Sequence, residues 1–148
     1  MSQDRAALDL DTSLGYLLKQ AHSALRSAMD AALRPLGMTV PQYACLELLA
    51  QRPGLSNSDL ARGAFVSRQS MNVLLQSLER DRLVSRPGQP STGRSLPVQL
   101  TPLGRDRLQA ASAAVSSVEG HLRQGLDADE QRQLRRLLAS CVRALSES

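Results

Sequence analysis

Ser67-Arg68-Gln69-Ser70-Met71-Asn72 begins a segment with Met71, Leu74, Leu75 and Leu78 at helical spacing, so a helix is expected from Ser67 to about Arg80. Ser67 is the expected N-cap. The opposite side of its first turns carries Arg68, Gln69, Ser70, Asn72 and Gln76, and the first acids are Glu79 and Asp81. The positive end of a helix dipole favours carboxylates, so an acid-free start suits a helix end that meets an external anion. Ordinary solvated surface can show the same polarity, and the flanking segments decide between the two readings.

On the N-terminal side, Ser56-Asn57-Ser58-Asp59 has the pattern of a capping box, with Leu60 and Ala61 facing inward. The chain then turns through Gly63 to Val66. On the C-terminal side, Leu83-Val84-Ser85-Arg86 reads as a short strand. Pro87 to Gly93 is rich in turn formers, and Leu96-Pro97-Val98-Gln99-Leu100 alternates as a return strand. Pro97 confines that strand to an edge or a frayed start, and Arg94 sits at the end of the loop. Helix, turn, helix and hairpin over Ser56–Thr101 are the layout of a winged helix-turn-helix, whose second helix enters a DNA major groove. Gln69 and Asn72 suit adenine and Arg68 suits guanine, each bidentate pair discriminating by roughly 1–3 kcal/mol.

Further outward, Thr39-Val40-Pro41-Gln42 is a capping box for a helix with Tyr43, Leu46, Leu49 and Ala50 on its apolar face. Before it, Leu10, Leu14, Leu17, Ala21, Leu25, Ala28 and Ala32 predict a helix over residues 10–34, roughly 37 Å long. Thr101-Pro102 restarts a helix through about Gln124, where Gly120 and the Ser112–Ser117 cluster suggest a bend. Asp127-Ala128-Asp129-Glu130 caps a last helix whose buried face is expected to be Leu134, Leu137, Leu138, Cys141, Val142 and Leu145. Long apolar helices at both ends read as a dimerisation layer. The fold expected is mainly α with a small two- or three-stranded wing. Residues 1–148 form one domain, with a winged helix-turn-helix at 38–101 and dimerisation helices at 10–34 and 102–146.

The bulk composition agrees. Aromatics make up 2 % of the 148 residues, so Leu, Ala, Val and Met must build the core. The net charge is +4. Between Arg52 and Arg107 there are nine arginines and four acids, so the positive excess lies in the helix-turn-helix segment. That suits a polyanionic partner, although a solvated basic face accounts for charge alone equally well. Cys45 and Cys141 lie in apolar helical patterns without CxxC spacing and read as small buried hydrophobes in a reducing compartment. The acidic N-terminus is no signal peptide, and a cytoplasmic location is expected. His22 and His121 are far apart in sequence. With no metal spacing, nucleophile elbow or glycine-rich phosphate loop, no enzyme, cofactor or metal is expected.

The order of elements resembles the MarR family of bacterial transcription regulators. The resemblance is carried by Leu36-Gly37-Met38-Thr39-Val40-Pro41-Gln42-Tyr43, Leu60-Ala61, Leu78 through Arg86, Arg94, and Leu100-Thr101-Pro102-Leu103-Gly104. It implies a homodimer that binds pseudopalindromic double-stranded DNA as a repressor and releases it when a small, often phenolic or aromatic, ligand binds. It places Ser67, Arg68, Gln69, Ser70, Asn72 and, on the same helix, Gln76 against DNA, with Arg94 as the minor-groove arginine of the wing. Tyr16, His22 and Tyr43 are the candidates to line an effector pocket; His22 also reads as a hydrogen-bonded structural histidine. Two positions depart from the family pattern. Thr92 stands where an aspartate usually holds the wing arginine, and Phe65 stands where glycine is usual in the turn. A winged-helix protein-interaction module without DNA binding is the alternative reading.

Overall fold

The computed structural model describes residues 7–86 and 97–147. Among these described residues are six α-helices and one antiparallel pair of short strands. The helices are α1 (Leu14–Leu33), α2 (Val40–Gln51), α3 (Asn57–Gly63), α4 (Arg68–Arg80), α5 (Pro102–Arg123) and α6 (Ala128–Ser146). Strands β1 (Val84–Ser85) and β2 (Gln99–Leu100) pair Val84 with Leu100 and Ser85 with Gln99.

The expected caps account for most helix starts. Thr39 and Gln42 form a complete capping box, as do Asp127 and Glu130. Ser67 and Thr101 each cap through the side-chain oxygen. At Ser56 only half of the box forms: its hydroxyl accepts the Asp59 N–H, while the Asp59 carboxylate pairs with Arg62. That guanidinium, together with the Ser56 bond, holds the Asp59 carboxyl below its ordinary range. One boundary differs from expectation. Helix α1 begins at Leu14 because the Ser13 hydroxyl takes the Tyr16 N–H, so Leu10 falls in the preceding turn. Helix α5 ends at Arg123, close to the expected Gln124, and runs continuously through Gly120.

The core lies where α2, α3, α4 and the strands meet the first half of α5. Leu46, Leu60, Met71, Leu75 and Leu78 are fully buried there, with Val84, Val98, Leu108 and Ala111 around them. Gly104 joins α5 to this body. A Cβ at that position would lie 2.0 Å from the Leu83 carbonyl oxygen, so only glycine allows the approach. Thr101 adds two bonds at the same junction, its N–H to the Leu83 carbonyl and its hydroxyl to that of Arg82.

The terminal helices behave differently. Helix α1 packs along α5, but Leu14, Leu17 and Leu18 in its first half are exposed. In α6, Leu134, Leu137, Leu138, Val142 and Leu145 are exposed, and Cys141 is half-buried. The burial expected for these six residues is therefore not supplied by their own chain. Cys45 is fully buried, and burial pushes its thiol up to about 12, which leaves an unreactive side chain. Among the described residues, no helix is long and apolar enough to cross a membrane, and no group of three or more His, Cys, Asp or Glu is placed to hold a metal ion.

Candidate nucleic-acid interface

Helix α4 has a buried apolar stripe and an exposed, mainly polar face. Met71, Leu75 and Leu78 are buried and Leu74 is half-buried, which fixes the helix against the core. Arg68, Gln69, Ser70, Asn72 and Gln76 are all exposed on the other side, and the first turn holds no acid. The structure thus brings the predicted α4 residues together on one solvent-facing surface. Arg94 and Thr92 lie outside the described residues, as does the rest of the wing loop from 87 to 96.

The polar side chains on this face are not equivalent. Ser67 is occupied by the fold: its hydroxyl accepts the Ser70 N–H and donates to the Ser70 hydroxyl, each at 3.0 Å. The Ser70 hydroxyl therefore keeps its own proton for an outside acceptor. Asn72 is tied to α3, because the Asn57 side-chain NH2 donates to the Asn72 side-chain oxygen at 2.9 Å. That bond braces the two helices of the motif against each other. It also takes one lone pair of the Asn72 oxygen. Bidentate adenine recognition needs both ends of an amide, so Gln69 and Gln76 are better equipped for it than Asn72. The spacing of Asn57 and Asn72 carries no helical or strand signal that would have revealed this link in the sequence.

Phe65 explains how the turn between α3 and α4 closes without glycine. Its φ is +60°, the left-handed region, and its side chain is 93 % exposed. A non-glycine residue pays roughly 1–2 kcal/mol for that conformation, and Phe65 recovers none of it by burial. Val66 and Ala64 still make the turn bonds to Ala61 and Leu60 that set α4 against α3. The sequence reading also passed over Val73, a 62 % exposed apolar residue on the polar side of α4. Its signal was available: it falls outside the buried 71/74/75/78 stripe.

Of the three expected pocket residues, two lie on α1 and one on α2. Tyr16 and His22 are exposed on α1. Tyr43 is half-buried where α2 meets α5, beside Glu47, whose carboxylate accepts the Ser112 hydroxyl at 2.7 Å. Burial first, then the Glu47 charge, push the Tyr43 hydroxyl up to about 12. A separate apolar cleft of about 430 Å³ lies between α1 and α5, lined by Ala21, Leu25, Ala28, Val118, His121 and Leu122 among others. None of the three expected residues lines it.

Comparison with known proteins agrees with this architecture. A model of the MarR family matches residues 36–95. The chain is 44 % identical over 128 residues to the HTH-type transcriptional repressor Rv2887 of Mycobacterium tuberculosis, covering 86 % of this chain and 92 % of that protein. The crystal structure of Rv2887 in complex with salicylic acid superposes with a TM-score of 0.74 at 44 % identity, over 88 % of this chain and 97 % of the other. Its complex with DNA gives 0.73 at 40 % identity, over 88 % and 98 %. The transcriptional repressor CouR bound to a 23-mer DNA duplex gives 0.80 at 29 % identity, over 93 % and 99 %. With such identity over nearly its whole length, and with the helix order and wing described above, this chain belongs to the MarR family of transcription regulators.

Proposed function

We propose that the protein is a cytoplasmic, homodimeric transcriptional repressor that reads a pseudopalindromic operator with α4 and releases it on binding a small aromatic ligand. The observation that carries this reading is the exposed, acid-free first half of α4, held rigidly by Ser67, the Asn57–Asn72 bond and the buried stripe beneath. The DNA-bound structures of Rv2887 and CouR support it. Exposed leucines on α1 and α6 support a second copy as the partner, which would set two α4 helices about 34 Å apart, one turn of DNA. Salicylic acid in Rv2887 supports an aromatic carboxylate as the ligand class. Of the three effector candidates, Tyr43 has the best-placed side chain, at the α2–α5 contact that joins reader and terminal helices. Arg68 serves as the guanine reader and Arg94 as the minor-groove arginine. The family regulates transcription, and the protein acts here without catalysis of its own.

The direct check is a binding titration of wild type and Arg68→Ala on operator duplexes varied one base pair at a time. Losing the bidentate contact should cost roughly 1–3 kcal/mol and flatten the preference at one position per half-site. Unchanged selectivity would remove Arg68 from the base-reading set.

A further inference from the structure

Val73 sits four residues after Gln69 and three before Gln76, so helical geometry places it on the same outward surface. Nothing internal to the protein calls for valine there. The core side of α4 is already filled by Met71, Leu74, Leu75 and Leu78. A β-branched residue is a poorer helix former than the long polar side chains usual on exposed faces. The neighbouring Gln69, Asn72 and Gln76 are uncharged amides, suited to the edges of bases. In the major groove, the one apolar group that a base pair presents is the thymine 5-methyl, and the adenine paired with it is the base that a glutamine reads bidentately.

We propose that Val73 is a specificity-determining residue, whose methyl groups pack on a thymine 5-methyl in each half-site while Gln69 or Gln76 reads an adjacent adenine. The assignment rests on α4 being the recognition helix. It goes beyond that reading by naming the base and the group on it that is recognised. Because the Asn72 oxygen already accepts from Asn57, the two fully available amides are those flanking Val73.

The test uses the tightest duplex that the full-length protein selects from a random-sequence pool. Each thymine is replaced singly by deoxyuridine, which removes the methyl and keeps every hydrogen bond. Binding of wild type and Val73→Ala is then measured on the whole set; alanine favours the helix, so the variant folds. In each half-site one replacement should weaken wild-type binding by about fourfold, the effect of one buried methyl. Val73→Ala should bind the unmodified duplex more weakly and be indifferent to that methyl. If Val73→Ala keeps the full thymine-to-deoxyuridine ratio everywhere, or if wild type shows none, the methyl contact is overturned and DNA reading by α4 stands. A pool that yields no preferred duplex overturns the recognition-helix reading itself, and the methyl contact with it.

Discussion

Leu75 and Leu138 are both leucines on the apolar stripe of an amphipathic helix, and their sequence surroundings are equally regular. Leu75 is 1 % exposed in the middle of the reader body, whereas Leu138 is 39 % exposed on α6. The described helices α2 to α4 and the first half of α5 turn their apolar stripes into a shared core, with Phe65 and Val73 left exposed. The first half of α1 and the whole of α6 present theirs outward. A periodic stripe states that a face will be covered, and it does not state which chain covers it. The helices of the reader thus cover one another, whereas the terminal helices leave apolar surface that the proposed second copy would cover.

The sharpest way to break this contrast is in the core. Leu75→Ala should cost roughly 2–5 kcal/mol in denaturant titrations, by lost transfer energy and the cavity left behind. The loss should be the same at every protein concentration. Leu138→Ala should instead give a loss that grows as protein is concentrated, because its effect enters through association. Next in size is Gly104→Ala, at the seam between the two regions. The added Cβ meets the Leu83 backbone at 2.0 Å, and overpacking against an immovable group costs roughly 3 kcal/mol. A thermal melt like that of wild type would mean that α5 is not seated on the wing base as described. Smallest is Phe65→Gly. Relief of the left-handed strain exceeds the entropy that glycine adds to the unfolded chain, for a net gain of about 0.5–1 kcal/mol. The melting temperature should rise by about 2–4 °C at most; a fall would show that the exposed ring has a covering partner.

The parts of this fold that were legible in the sequence are the ones governed by local rules. The caps at Thr39, Ser67, Thr101 and Asp127 follow from which side chains can satisfy a free N–H, and the stripes follow from 3.6-residue periodicity. The start of α1 differs because Leu10 continues the apolar spacing, although the cap forms at Ser13. Within the candidate site, the exposed face of α4 was legible, but the division of labour on it was not. The Asn57–Asn72 bond joins two elements that only the tertiary fold brings together, and it changes which amide is free to read a base. Val73 was overlooked because an exposed apolar residue carries no polar signature.

The central claim is that exposed apolar helices at the two ends pair two copies of a rigid reader. Sedimentation and DNA binding of Leu138→Asp, beside wild type on one selected duplex, test it most directly. Leu138 lies outside the core of its own chain, so a charge there leaves the reader folded and falls on the proposed interface. The expected result is a folded monomer whose specific binding is weaker by roughly two orders of magnitude or more, in keeping with the loss of linked half-site engagement. A variant that stays dimeric, or a monomer that binds the duplex as tightly as wild type, would contradict it.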